Sequence, residues 1–311
     1  MHIGIDLGGT NIAAAIVDSS GVITKRTSVP VCTQSGPEAV VDGLLFVCGI
    51  LLNDEKEKPL SIGIGVPGTV CDETGVVVFA PNLPLRDTNI TQELQKKYRC
   101  RISLGNDANC AALGESVAGG AKGAKDVVFI TLGTGIGGGI IIGGKLHTGL
   151  SGAASELGHM TIVQGGRECG CGRRGCWESY ASATGLIRTT IEVMGTHMGS
   201  ALWELCGGNT ENIDGRTVFY GFESYDEAAC VAVNLYIEHL AAGITNIINI
   251  LEPELFCIGG GISNAWDHFA EPLKALVDKE KYFRFSPQLP HTKIVKAKLG
   301  NDAGIIGAAM L

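Results

Sequence analysis

The chain has 311 residues, enough for one large or two ordinary domains. A hydrophobic content of 45% beside 18% charged residues describes a soluble globular protein with a sizeable core, and a net charge of −8 speaks against a general nucleic-acid binder. Met1 leads straight into an apolar strand, so no signal peptide is expected, and the longest clean apolar run, 44–52, is too short to span a bilayer. The count of eleven cysteines is odd, and several sit in apolar segments such as 46–51 and 256–258. They read as reduced, buried thiols of a cytoplasmic protein.

Residues 2–7 predict a strand, Gly8-Gly9-Thr10-Asn11 a tight turn, and 12–18 a return strand. Asp6 closes the first strand just before the glycines. Backbone amides in such a turn can approach phosphate oxygens, and a carboxylate beside them can hold Mg²⁺ or its waters. Taken alone, the pattern also fits an ordinary glycine turn with an exposed Asp. A helix follows over 37–52, then strand over 60–70 with a Pro67-Gly68 turn, and strand from 75 to Pro81-Asn82. Asn89 or Thr88 caps a helix that runs to Tyr98. A strand at 102–104 ends at Asn106-Asp107, and 108–118 is helical. Asp107 thus sits between a strand C-terminus and a helix N-terminus, where α/β proteins bind ligands and where the dipole favours a carboxylate. A plain helix-capping Asp is the equal alternative.

The run 127–149 repeats this plan: residue 131 answers residue 6, and Leu132-Gly133-Thr134-Gly135 answers Leu7-Gly8-Gly9-Thr10. Two related domains are implied, each with a phosphate-facing hairpin. Gly133, Gly135 and Gly138 mimic a dinucleotide fingerprint, and 139–145 mimics a P-loop. Both patterns must open a helix, whereas Ile140-Ile141-Ile142 continues as strand.

The stretch 156–178 carries the sharpest signal. His159, Cys169, Cys171 and Cys176 form a Cys₃His set, with Gly170, Gly172 and Gly175 allowing tight turns between the thiolates. Zn²⁺ takes four N/S ligands in a tetrahedron, and a closed set is structural. Incidental buried cysteines are the weaker reading. Glu156 and His159 share a face if their segment is one helical turn, and Glu178 follows the last thiolate by two residues. Beyond this knuckle, 181–194 is predicted helical, 196–214 less regular, and 225–251 one long helix. A strand at 255–260 enters Gly259-Gly260-Gly261, whose amides can meet a nucleotide. His197, His268 and His291 lack partners at ligand spacing and are expected at the surface. A closing helix occupies 300–311.

Together these residues resemble the ROK family of bacterial sugar kinases and sugar-responsive repressors. The resemblance runs from Asp6-Leu7-Gly8-Gly9-Thr10-Asn11 through 132–139, Glu156-Leu157-Gly158-His159 and the CGCGRRGCWE block at 169–178, to Gly300-Asn301-Asp302-Ala303-Gly304. It implies an α/β, two-domain, actin-like (ribonuclease-H-like) ATPase fold with duplicated βαβ-rich domains around a hinged cleft. The smaller domain would take 1–118 with 299–311, the larger 119–298. It also implies ATP-dependent phosphorylation of a hexose, most often glucose at its 6-hydroxyl. By resemblance Asp107 is the base. Gly68, Asn82, Asn106, Asp107, Glu156, His159 and Glu178 contact the sugar. Asp6, Gly8, Gly9, Thr10, Asn11, Gly133, Thr134, Gly135 and Gly259–Gly261 serve ATP and Mg²⁺. His159, Cys169, Cys171 and Cys176 hold a structural Zn²⁺, with the second His159 nitrogen left for sugar. A homodimer or homotetramer, with no nucleic-acid or membrane partner, completes the expectation.

One departure concerns specificity. Many relatives carry Gly-Trp after the sugar-contacting Asn, whereas Asn82 precedes Leu83-Pro84-Leu85-Arg86-Asp87. One pocket wall therefore stays open among glucose, N-acetylglucosamine, N-acetylmannosamine and other hexoses, with glucose favoured on family frequency. The repressors of the family carry a helix-turn-helix domain ahead of this strand. Here five residues precede Asp6 and the balance is acidic, which favours the kinase. A binding-only protein is disfavoured because Asp6 and Asp107 are both present.

Overall fold

The computed structural model describes residues 1–55, 58–286 and 288–311. The chain divides into two compact units. The first comprises Met1–Phe129, Gly138–Ser155 and Ala297–Leu311, and the second Ile130–Gly137 and Glu156–Lys296. The expected boundaries differ from this division in that 119–129, 138–155 and 297–298 fall with the first unit.

The chain begins with β1 (His2–Leu7), β2 (Asn11–Val17) and β3 (Ile23–Pro30), followed by α1 (Gly36–Leu52). Then come β4 (Ser61–Val66), β5 (Thr69–Cys71), β6 (Val76–Ala80), β7 (Leu85–Asn89), α2 (Ile90–Gln95), β8 (Arg101–Asn106) and α3 (Asp107–Ala118). The main sheet has the order β3-β2-β1-β4-β8, with β1 antiparallel to β2 and parallel to β4. Its apolar strands are covered on both faces, and Ile3, Ile5, Leu7, Ile62 and Ile64 are fully buried. The strand expected over 60–70 is interrupted. Gly68 has φ +141°, and a Cβ there would lie 2.2 Å from Phe79 O, so the chain turns and β5 joins a separate sheet, β5-β6-β7. Strand β7 was not expected, because LRDTN shows no apolar alternation; its pairing with β6 sets it.

The second half repeats the first. β9 (Val127–Leu132) and β10 (Ile136–Ile142) start and stop 125 residues after β1 and β2. They are followed by β11 (Lys145–Leu146), α4 (Glu178–Ala181), α5 (Ala183–Met194), α6 (Leu202–Leu205), α7 (Gly215–Glu223) and α8 (Glu227–Leu251). β12 (Leu255–Gly259), α9 (Trp266–Glu280), β13 (Lys293–Lys296) and α10 (Asp302–Ala309) close the chain. The sheet order β11-β10-β9-β12-β13 matches that of the first sheet position for position. The helix expected over 181–194 is broken at Ser182, whose extended backbone lets its hydroxyl accept Gly185 N–H and cap α5. Helix α8 is long and apolar enough to cross a membrane by length and composition, but 61% of that stretch is buried within the protein. Val233, Tyr236, Leu240 and Ile244 supply its inward face, which makes it a core helix.

In the first unit, α10 packs on α3, β1 and β4. The approach is close: a Cβ on Gly63 would lie 1.7 Å from Ala308 O. The chain is fastened there by Glu115, which is fully buried in α3. Its carboxylate accepts the N–H groups of Gly120 at 2.6 Å, Lys298 at 3.0 Å and Leu299 at 2.7 Å.

Candidate active site

In the first unit, β8 runs into α3 with Asn106 as the cap. Its Oδ1 accepts Ala108 N–H at 3.0 Å and Asn109 N–H at 3.2 Å, and its Nδ2 donates to Gly68 O at 3.1 Å. The helix cap is therefore Asn106 rather than Asp107. Asp107 is the first helical residue, half-buried over the positive end of α3, and its Oδ1 accepts Ala108 N–H at 2.8 Å. Asp6, at the end of β1, feels the charge of Asp107. Burial, and then that neighbouring charge, push its carboxyl up to about 6. No cation pairs with Asp6 among the described residues, and its carboxylate lies against α10, where a Cβ on Gly304 would be 3.3 Å from Asp6 Oδ2. A hard cation and its waters fit such an oxygen donor. Gly9 and Asn82 adjoin, since a Cβ on Gly9 would lie 3.4 Å from Asn82 Cβ. Thr10 and Asn11 lie exposed on the same turn. Two local contacts, Asn106 with Gly68 and Gly9 with Asn82, thus sit in one unit with the Asp6–Asp107 pair.

In the second unit, the Cys₃His set closes. The nearest donor atoms of His159, Cys169, Cys171 and Cys176 all lie within 4.8 Å of one another. Cys171 and Cys176 have their sulfurs 3.7 Å apart, and Cys169 Sγ is 3.6 Å from His159 Nδ1. A tetrahedral Zn²⁺ with Zn–S near 2.3 Å and Zn–N near 2.0 Å sets edges of about 3.8 Å and about 3.6 Å. The donor set therefore fits that ion in both chemistry and size. Burial pushes the Cys176 thiol up to about 12, so metal binding must displace its proton. The knuckle backbone is tied by Cys169 N–H to Arg173 O (2.9 Å) and by Gly175 N–H to Arg167 O (2.7 Å). Gly172 and Gly175 have positive φ as the turns require, whereas Gly170 does not.

The ring of His159 uses Nδ1 toward the sulfurs and leaves Nε2 3.9 Å from Glu156 Oε2. A short 3₁₀ turn at Leu157–His159 brings the two side chains onto one face. Below the knuckle, Trp177 is fully buried and donates its Nε1–H to His239 O at 2.8 Å. Its ring lies so close to α8 that a Cβ on Gly243 would be 2.1 Å away. Glu178 follows at the start of α4, with Oε1 3.7 Å from Cys169 Sγ.

A cavity of about 600 Å³ in the second unit is lined by Gly133, Thr134, Asp214, Phe219, Gly261 and His268, among others. Its size suits a nucleoside. Gly261 reaches this cavity, while Gly260 lies against Leu132 of β9. Sequence reasoning missed most of this wall. His268, expected at the surface, stacks on Phe219 with ring centroids 5.7 Å apart, and its Nε2 is 3.0 Å from Glu223 Oε1. The only local signal was the Asp214 cap of α7, which accepts Thr217 N–H.

The ROK family profile matches residues 2–311. The chain belongs to the ROK family. A glucokinase from Streptomyces coelicolor is 36% identical over 100% of this chain and 97% of its own length. A ROK family glucokinase from Streptomyces griseus, solved in complex with glucose and AMPPNP, is 33% identical. It superposes with a TM-score of 0.79 over 99% of this chain and 98% of its own. A putative xylose repressor from a Caldicellulosiruptor species is 30% identical over 99% of this chain and 77% of its own length. The fold is the two-domain actin-like ATPase fold of the ROK sugar kinases.

Proposed function

We propose that this ROK protein is an ATP-dependent hexose kinase that transfers a phosphoryl group to the 6-hydroxyl of glucose. The observation that carries the reading is Asp107 at the first position of α3, its charge felt by the half-buried Asp6, in a chain similar along its whole length to glucokinases. Phosphoryl transfer has a loose transition state, so alignment and charge neutralisation do most of the catalysis. Asp107 would accept the proton of the attacking hydroxyl. Asn106, pinned by its bonds to Ala108, Asn109 and Gly68, would hold the sugar together with Gly68 and Asn82. Glu156, Glu178 and His159 Nε2 would bind further hydroxyls, and a site that pairs each hydroxyl with a polar group of its own discriminates against sugars lacking one. Asp6 would hold Mg²⁺ or its waters, which supplies charge neutralisation at the phosphates when bound. The glycine turn at 133–135, with Gly261, would receive ATP in the cavity walled by Phe219 and His268, and the turn at 8–11 would also serve ATP. His159, Cys169, Cys171 and Cys176 would hold Zn²⁺ as a structural ion that fixes His159 and Glu178. No disulfide joins any of the eleven cysteines, which suits a reducing cytoplasm.

The xylose repressor relative supports a second reading, a sugar sensor without turnover. Identification of the product separates the two. Incubation with Mg-ATP and glucose should give one new phosphate monoester, placed at carbon 6 by two-dimensional ¹H–³¹P correlation. An ester at another carbon would refute the regiochemistry. Binding of glucose or xylose with no ester formed would favour the sensor.

A further inference from the structure

The turn Gly133–Gly135 is held from behind by the chain that follows the knuckle. Ala183 N–H donates to Gly133 O at 2.9 Å, and the Thr184 hydroxyl donates to Thr134 O at 2.9 Å. Glu178 Oε2 accepts Ile136 N–H at 2.8 Å. Gly133 N–H is used internally, closing the turn on Gly135 O at 3.0 Å. The N–H groups of Thr134 and Gly135 have no acceptor among the described residues. The tip therefore keeps two amides for an incoming anion, and its carbonyls are turned away from it.

Glu178 lies directly against this tip. A Cβ on Gly135 would come within 2.2 Å of its Oε2. The other oxygen is 3.7 Å from Cys169 Sγ, so one carboxylate spans the distance from metal knuckle to turn. A small cavity of about 150 Å³ opens beside it, lined by Thr134, Cys169, Ser182 and Arg188 among others.

We infer that Glu178 is a positioning residue for the phosphate chain of ATP, acting through its bond to Ile136 N–H, in addition to its proposed contact with sugar. The inference rests on the ATP-kinase reading and deepens it. A carboxylate that accepts a backbone N–H fixes that peptide plane more firmly than a neutral acceptor does. Fixing Ile136 fixes the peptide after Gly135, and with it the direction of the two amides at the tip. The metal knuckle would then order both substrates' sites in this unit through a single side chain.

The test is the affinity for Mg-AMPPNP, measured calorimetrically without any sugar, in three variants. Glu178→Gln keeps an oxygen within reach of Ile136 N–H. Glu178→Asp keeps the charge but withdraws it by one methylene, and Glu178→Ala removes both. The expected order is Gln within about three-fold of the parent, with Asp and Ala weaker by about ten-fold or more, as for loss of a charged hydrogen bond. Unchanged affinity in Asp and Ala would overturn the inference. So would the reverse order, Asp tight and Gln weak, since charge rather than the bond to Ile136 would then matter. Gln and Asp differ little in size from Glu, so the comparison stands even if the Ala variant fails to fold. Glucose is titrated separately. A parent that binds nucleotide but not glucose would refute the glucose reading and still leave the nucleotide series to decide the role of Glu178.

Discussion

Asp6 and Asp107 face each other's charge, and the consequence for Asp6 is measurable without substrate. Its carboxyl is raised to about 6 in the folded chain against an ordinary 3.8. The folded state thus keeps a proton that the unfolded chain has already lost. Well below the ordinary 3.8 both states are protonated and Asp6 costs nothing by ionisation. As pH rises from about 4 to about 6 the cost builds to about 3 kcal/mol and then stays constant. Asp6→Asn should therefore stabilise the metal-free protein at pH 8 by up to about 3 kcal/mol and have little effect through this route at pH 4. Urea unfolding at the two pH values checks this, and an equal effect at both would contradict it. A stable Asp6→Asn that is also inactive would fit a residue kept at a stability cost for function. Glu115 makes the opposite prediction. It satisfies three backbone N–H groups between α3 and the segment before α10, and Glu115→Ala leaves them part-buried and unpaired. A loss of about 3 kcal/mol or more is expected in the same unfolding assay, and a loss under about 1 kcal/mol would show that the fastening is dispensable.

At the scale of elements, the two hairpins and the knuckle were legible in the sequence because each is a local pattern. Glycine turns punctuate apolar strands at 8–11 and 133–135, and the strands begin and end 125 residues apart. The clustering of His159, Cys169, Cys171 and Cys176 was legible for the same reason. Helix α7 was not, since GRTVFYGFE carries two glycines and β-branched residues that weaken helix propensity. It forms because Val218, Phe219 and Gly221 are buried and the helix packs on α8. The nucleotide-sized cavity was hidden with it: His268 meets Phe219 and Glu223 only after α7 and α9 come together. Gly243 offers a test of how tightly the knuckle is seated. Gly243→Ala forces a methyl group against the Trp177 ring, and a loss of about 1–3 kcal/mol is expected, with weakened retention of the proposed Zn²⁺. Chelating the metal from the parent should lower glucose affinity through loss of His159 and Glu178 geometry. Unchanged glucose affinity in protein shown to be metal-free would remove the knuckle from the sugar site.

Over the whole molecule, the repeated sheet order and the full-length similarity to ROK glucokinases give the fold. They do not by themselves give turnover, because a repressor matches along almost the same residues. What separates a catalyst from a sensor is the chemistry at one carboxylate. Sequence reasoning could place Asp107 at a strand-to-helix junction but left it even with a plain cap. The junction's cap turned out to be Asn106, and Asp107 stands as the first helical residue with its Oδ1 accepting Ala108 N–H. Sugar-dependent ADP release from Mg-ATP, measured for the parent and for Asp107→Asn, tests the central claim most directly. The parent should release ADP only when glucose is present. The variant should bind glucose with similar affinity and lose at least about a hundred-fold in kcat. Parent-like turnover in a folded, glucose-binding Asp107→Asn would contradict the account.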